Sequence, residues 1–385
     1  MPRRERPDEM SGNKHMDETV TGMRLRGVNL GGWLVLEKWM KPSLFEGLAA
    51  TDETSWCAEL GAAAPARLRA HWDGFITRAD FAWLAERGIN AVRIPLGHWI
   101  FGPPYPWHRA YGSNPHPFVE GGIEVLDRAM DWADELGLRM ILDLHAAPGC
   151  QNGFDNGGIK DVCEWHTREE YLAHSVAVLG RLAARYRGRR CLHAIEVLNE
   201  PNSSVPTALL EAYNIRACQA IRAHCPAHEV AVVFHDGFRS HREYRGGLLT
   251  SGAQNLVFDV HRYQCFERSD IDMDIHGHLH KAGVLWREEA DAIQRDLALP
   301  AIVGEWSLGL DLKVVSLWAQ GPWNHALERM DAFQEHVAYR AYAAAQLLSF
   351  ERYRGWFFWS YRTETTPAWC FRECVERGWL PGRFD

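Results

Sequence analysis

Residues 193–204 read HAIEVLNEPNSS. Ile195, Val197 and Leu198 are what a strand needs when both of its faces are covered. They are followed at once by Asn199, Glu200 and Pro201: an amide, a carboxylate and a residue with no backbone N–H. A carboxylate at the edge of a core is costly unless it is partnered or used. The stretch therefore reads as a buried strand whose C-terminal end carries chemistry, and the fold to look for is one that gathers such ends.

Outward from it, seven further β-rich runs recur: 24–30 (RLRGVNL), 90–95 (NAVRIP), 139–145 (RMILDLH), 229–235 (EVAVVFH), 256–261 (LVFDVH), 300–305 (PAIVGE) and 355–360 (GWFFWS), with 194–199 as the fourth of eight in chain order. Amphipathic helical runs lie between them. In TRADFAWLAERG, Thr77 is placed to cap and Gly88 to stop a helix. In GGIEVLDRAMDWADELG, Ile123, Leu126, Met130 and Ala133 share one face before Gly137. TREEYLAHSVAVLGRLAARYRG is longer, and others fall near 206–224, 285–297 and 330–352. The fifth unit is the weakest, because little helix follows its strand. Strands alternating with helices imply a parallel sheet, and eight such units imply closure. The predicted fold is α/β: a single (β/α)8 TIM barrel over residues 22–385, with long βα loops around the mouth, preceded by a flexible polar leader at 1–21.

The bulk numbers agree with a barrel of this size. The chain has 385 residues, 46% of them hydrophobic, enough for a large core. Net charge is −8, and Lys and Arg cluster only at 2–6, so no nucleic-acid partner is expected. The N-terminal run MPRRERPDEMSGNKHMDETVTG has no apolar h-region, which gives the expectation of a cytoplasmic protein without membrane association. Nine dispersed cysteines without a CxxC pair read as thiols. Seventeen tryptophans are many; Trp33, Trp99, Trp165, Trp306 and Trp359 stand beside Gly, His or acids, a placement suited to stacking on sugar faces.

A TIM barrel keeps its active site at the C-terminal ends of its strands. By that rule the first unit offers Asn29 and Glu37, the second Arg93, the third His145, the fourth Asn199 and Glu200, the sixth His261 and Tyr263, the seventh Glu305 and the eighth Trp359. Two glutamates from strands four and seven point to glycoside hydrolysis, in which one carboxyl protonates the departing oxygen and the other carboxylate attacks the anomeric carbon. The acid has to keep its proton above the ordinary glutamate value of ~4.3. The nucleophile needs donors, and Arg93 and Tyr263 are of the right type. Each residue alone has an ordinary reading: NEP as a turn, Arg93 paired to a structural acid, His145 and His261 as core histidines bonded to backbone, Trp359 as core. The weight lies in their shared direction. His276, His278 and His280 alternate in IHGHLH, as metal ligands would on an extended segment, but no acid or cysteine cluster accompanies them and no metal is expected. GVNLGG is neither a dinucleotide fingerprint nor a P-loop, and no GxSxG occurs.

RGVNLGGWLVLEKW, VRIPLGHW, DLHAAPGCQNGFDNGG, VLNEP, HRYQ and GEW together resemble the family 5 glycoside hydrolases of clan A, and within them the exo-β-1,3-glucanase branch. The resemblance spans residues 22–365. It implies a retaining mechanism without metal or organic cofactor, with Glu200 as acid/base and Glu305 as nucleophile. It implies Arg93, Asn199 and Tyr263 around the nucleophile and the sugar 2-hydroxyl, and His145, His261 and Trp359 completing the first sugar subsite. Glu37 would bind hydroxyls of the terminal sugar. Phe154, Asp155 and Asn156 would wall the pocket, with Phe154 and Phe266 at its entrance. The implied partner is a β-glucan oligosaccharide or short β-glucoside, bound by a monomer or weak homo-oligomer. The same residues also serve a glycolipid β-glucosidase, a transglycosylase or a silent carbohydrate-binding barrel. Two long loops, 101–122 and 307–329, are placed to shape the outer subsites.

Overall fold

The computed structural model describes residues 23–244, 246–271, 273–310, 327 and 330–384. The leader at 1–21 and most of the segment 307–329 lie outside the described residues. Eight parallel strands close into a barrel in chain order: β1 Leu25–Asn29, β2 Ala91–Gly97, β3 Arg139–Ala146, β4 Leu192–Glu196, β5 Ala231–His235, β6 Leu256–Arg262, β7 Ala301–Trp306 and β8 Gly355–Phe358. The helices are α1 Glu53–Leu60, α2 Ala64–Phe75, α3 Arg78–Glu86, α4 Gly122–Leu136, α5 Glu169–Tyr186, α6 Thr207–Arg222, the short α7 Arg268–Ile271 and α8 Ile275–His280, then α9 Trp286–Leu297, α10 Ala332–Phe350 and α11 Phe371–Glu376. The β5–β6 connection carries only two single 3-10 turns, His241–Tyr244 and Gly247–Thr250, in keeping with the weak fifth unit.

The capping chemistry follows the sequence. Thr77 and Asp80 form a reciprocal capping box at α3, and α4 ends at Gly137 in the left-handed region. Asp331 and Gln334 do the same for α10.

The barrel interior is built in layers. Leu25, Ala91, Ile141, Ala194, Val233, Val257, Ile302 and Phe357 belong to a buried apolar cluster at its lower end. Gly27 faces Phe357 so closely that a Cβ would lie 2.1 Å from the ring. Two residues further along each strand the same face turns polar: Arg93 above Ala91, Asp143 above Ile141, Glu196 above Ala194, Asp259 above Val257 and Asn29 above Gly27. Strict alternation from Ile302 and Gly304 would turn Glu305 outward. The register shifts on both flanks of β7, at Val260/His261 and at Val303/Trp306, and Glu305 enters the barrel mouth.

Three sequence expectations are corrected. Strand two does not end near Arg93; β2 runs on to Gly97, and Arg93 reaches the mouth on its long side chain from mid-strand. Strand four stops at Glu196, so Asn199 and Glu200 lie on the turn beyond it, with Glu200 at φ +42°. IHGHLH is helical rather than extended: α8 buries His278 against Gln264 and leaves His276 and His280 exposed, so the three rings do not converge.

Loop 101–122 folds onto an aromatic core of its own. Trp99 and Phe118 stack at 3.9 Å, and His98 is edged by Tyr105 and Phe118. His108 and Arg109 both pair with Glu164, tying this loop to the segment after β3 that carries Phe154 and Asp155.

Candidate active site

Arg93 is the hub. Its guanidinium is fully buried, with Nε 2.6 Å from Glu196 Oε2, Nη1 3.0 Å from Glu305 Oε1 and 3.1 Å from Asn29 Oδ1, and Nη2 2.8 Å from Asn199 Oδ1 and 3.1 Å from Asp143 Oδ2. A buried cation survives on pairing of this quality. Two donors fix Glu305: Arg93, and the Tyr263 hydroxyl at 2.8 Å. Asn199 is held by its backbone N–H donating to Leu144, by Gln151 donating to its carbonyl, and by Arg93. Its Nδ2 is buried and has no hydrogen-bond partner among the described residues, a donor left for a ligand oxygen.

Glu200 faces His261. His261 Nδ1 lies 2.7 Å from Glu200 Oε1 and 3.5 Å from Glu305 Oε2, and Nε2 lies 3.5 Å from Asp259 Oδ2. Burial works against a charge on this ring, but Glu305 and Asp259 outweigh it and hold His261 well above the usual histidine range. Burial pushes Glu200 up, and the His261 hydrogen bond and charge pull it down further, so its carboxyl ends below the usual range. Burial raises Glu305 against the pull of His261, with Glu200 adding to the rise, and Glu305 ends above its usual range. The sequence reading required a carboxyl that keeps its proton; the surroundings favour instead an ionised Glu200 beside a charged imidazole.

His145 and His261 share one motif, Asp-x-His at 143–145 and 259–261, and use it differently. His145 Nδ1 donates to Asp143 Oδ2 at 2.6 Å, and its ring stacks on Trp359 with centroids 5.4 Å apart and planes 6° apart. Its Nε2 is buried and unpartnered. Glu37 is buried; it accepts from Trp39 Nε1 through Oε2, while Oε1 has no partner. Burial, then Asp155, raises Glu37 well above the carboxylate range. Burial pushes Asp155 up to about 6 against the pull of Lys160. A neutral carboxyl both donates and accepts, which suits it to a sugar hydroxyl. Asn156 accepts from Asn152 in the same half-buried turn as Phe154 and Asp155. Phe266 is 52% exposed and edge-on to Tyr263, which stacks on Trp369.

The structure thus links Arg93, Asn199, Glu200, His261, Tyr263 and Glu305 in one contact network, with His145 reaching it through Asp143, and pairs His145 with Trp359. The charges of Asp155, Glu305 and Glu200 act on Glu37, which adds it to the same mouth. Sequence reasoning missed Asp143, Glu196 and Asp259 beneath the site and His235 beside it, 4.2 Å from His261 ring to ring. For Asp143 and Asp259 the available signal was the spacing of two residues from His145 and His261; Glu196, three residues before Asn199, gave no such signal.

Among the described residues, Glu200, His235 and His261, and likewise Glu196, Asp259 and His261, bring ligand-type atoms within 4.8 Å of one another. The donors do not fit a cation. Gly237 N–H donates to His235 Nδ1, which leaves the ring proton on Nε2 and neither nitrogen free, and His261 is itself positively charged.

With this geometry in view, the likenesses to known proteins are specific. Residues 59–345 match the profile of Cellulase (glycosyl hydrolase family 5). The chain is 36% identical over 383 residues to the probable glucan 1,3-beta-glucosidase A of Aspergillus fumigatus, covering 93% of this chain and 87% of that protein. It is 33% identical over 394 residues to the probable glucan 1,3-beta-glucosidase of Arthroderma benhamiae, covering 94% and 90%. Among solved structures, the rutinosidase from Aspergillus niger superposes with a TM-score of 0.74 at 21% identity, over 94% of this chain and 99% of that one, a likeness of fold.

Proposed function

The chain belongs to glycosyl hydrolase family 5 and is a glycosidase, and on that premise we propose that it is a retaining exo-acting β-glucosidase of β-1,3-linked oligosaccharides, with Glu305 as nucleophile and Glu200 as acid/base. The observation that carries the reading is the shared imidazole. Because His261 Nδ1 lies 2.7 Å from one Glu200 oxygen and 3.5 Å from one Glu305 oxygen, those two oxygens are at most about 6.2 Å apart, which supports the close pairing of a retaining enzyme over the wider ~6.5–9.5 Å spacing of an inverting one. Glu305 has the two donors that an attacking carboxylate needs, Arg93 and Tyr263. Asn199 Nδ2, held beside Arg93, is aimed for the 2-hydroxyl, whose hydrogen bonds strengthen as the oxocarbenium-like transition state forms.

The reaction then runs in two displacements. Glu305 attacks the anomeric carbon while Glu200 protonates the leaving oxygen; water then cleaves the glycosyl ester with Glu200 as base. His145 and Trp359 present a flat face to the sugar, and Glu37 and Asp155 bind its far hydroxyls. The β-1,3 preference rests on the two fungal relatives, whose names state that linkage. The exo preference rests on the word glucosidase in those names and on the half-buried turn of Phe154, Asp155 and Asn156, whose Asp155 acts on Glu37.

The test is product analysis with laminari-oligosaccharides, alongside β-1,4 and β-1,6 glucosides. Glucose released one unit at a time from β-1,3 chains, first seen by proton NMR as the β-anomer, is the expected result. An initial α-anomer would overturn retention. Internal cleavage would overturn exo action, and preference for a disaccharide glycoside or glycolipid would move the assignment to another aglycone.

A further inference from the structure

A retaining acid needs a proton at the start of each turnover, and Glu200 is placed beside an imidazole with a carboxylate at each ring nitrogen. Each ring nitrogen of His261 faces a carboxylate: Nδ1 faces Glu200 at 2.7 Å and Glu305 at 3.5 Å, and Nε2 faces Asp259 at 3.5 Å. Asp259 is itself anchored, since its Oδ1 accepts the Gly304 backbone N–H at 2.6 Å, and a Cβ on Gly304 would come within 2.0 Å of Oδ2. Its Oδ2 is buried and accepts no hydrogen bond elsewhere in the protein. The other groups around the ring are Glu196, His235 and, across Glu305, Arg93. His235 does not compete for the proton, because Gly237 N–H occupies its Nδ1.

We propose that His261 stores the proton which Glu200 delivers to the leaving oxygen, and that Asp259 is the positioning residue that keeps it stored. The inference rests on the acid/base assignment of Glu200 made above. In the first displacement Glu305 forms a bond to the anomeric carbon, the bond to the aglycone oxygen breaks, and that oxygen takes a proton from Glu200. Glu200 takes one from His261 Nδ1, leaving a neutral ring with its proton on Nε2, toward Asp259. In the second, water adds to the anomeric carbon, the ester electron pair returns to Glu305, and the water proton passes through Glu200 back to Nδ1. The timing follows from the geometry. Esterification removes the Glu305 charge 3.5 Å from Nδ1, so the imidazolium loses one of its supports as Glu200 needs the proton. The raised His261 and lowered Glu200 of the ligand-free site accord with this storage.

The experiment is the pH dependence of kcat/KM for wild type, Asp259→Asn and Glu200→Ala, on phenyl and 2,4-dinitrophenyl β-glucosides. The amide introduced by Asp259→Asn keeps an oxygen for the Gly304 N–H and removes the charge. The expected result is an alkaline limb on the phenyl glucoside that moves down by about one pH unit in Asp259→Asn, with the dinitrophenyl rate little changed, because that leaving group needs no acid. An unmoved limb, or an equal loss on both substrates, would overturn the role of Asp259. Independently of any folding defect in that variant, 15N NMR of the wild-type histidine rings, assigned by loss of a signal in His261→Gln, is expected to show His261 doubly protonated at pH 7. A neutral ring there would overturn the storage. Glu200→Ala separates the two readings: equal loss on both glucosides sinks the acid/base assignment itself, whereas selective loss with an unmoved Asp259→Asn profile sinks only the inference.

Discussion

Tyr263 reaches Glu305 with a single hydroxyl, and that bond favours the charged carboxylate. Burial already lifts Glu305 above its usual range, so removing a donor lifts it further. Glu305 attacks only when ionised, so activity is lost as pH falls through its pKa. Tyr263→Phe should therefore move the acidic limb of the kcat/KM profile up by about 0.5–1 unit and lower the plateau by about 10–100-fold. A limb that stays in place would remove Tyr263 from the ionisation of the nucleophile. Under the same assignment, Glu305→Gln should abolish turnover. Glu200→Ala should lose about 10²–10⁴-fold on unactivated glucosides and far less on activated ones. Glu200, Glu305, His145, His261 and Tyr263 were legible because each stands at or just past the end of a recognisable strand. Asp143, Glu196 and Asp259 were not, because an acid two to four residues back looks like a strand interior. Their role appears only when Arg93 and the two imidazoles are seen lying across the barrel above them.

At the scale of elements, one side chain joins the start of α3 to the segment following β8. Asp80 Oδ2 accepts the Thr77 backbone N–H and hydroxyl, each at 2.8 Å, closing the capping box. Its Oδ1 accepts the buried Tyr361 hydroxyl at 2.7 Å and Arg362 at 3.0 Å. Asp80→Ala removes the cap and strands a buried hydroxyl and a partly buried cation, so it should destabilise the fold by about 2–4 kcal/mol. Chemical denaturation would measure this; a change under ~0.5 kcal/mol would mean that water replaces Asp80 at no cost. The Thr77 cap was readable from local sequence alone, and so were the Gly88 and Gly137 stops. What local pattern could not give was where a strand yields to its loop. β4 ends before Asn199 because the chain turns to set Glu200 at a positive φ, and β2 continues past Arg93 because Leu96 and Gly97 still pair with β3. The IHGHLH segment shows the same limit: three alternating histidines satisfy a strand pattern and, one residue at a time, a helix pattern too. Packing of His278 onto Gln264 decides between them.

For the whole molecule, the charge balance bears on which substrates reach the mouth. The chain carries a formal −8, and its mouth gathers Glu37, Asp155, Glu200 and Glu305, with Arg93 and the raised His261 as the buried cationic groups among them. A neutral glucan has no charge on which that field can act, so its encounter rate owes nothing to steering. An anionic glycoside would be repelled at low ionic strength and approach more readily as salt shortens the Debye length, from ~30 Å at 0.01 M to ~3 Å at 1 M. The proposed neutral oligosaccharide therefore predicts a kcat/KM that varies by less than about twofold across that range. The rate on a synthetic glucoside with an anionic aglycone should rise over the same range. Composition alone gave no sign of a nucleic-acid partner, and it could not say which sign of substrate the mouth admits, since that depends on how loops distant in sequence converge. Steady-state kinetics with laminaritriose and with a carboxyphenyl β-glucoside, each at several salt concentrations, would decide it. A steep salt dependence on laminaritriose would mean that charge governs its binding, and the reading of a mouth suited to a neutral sugar would have to be abandoned.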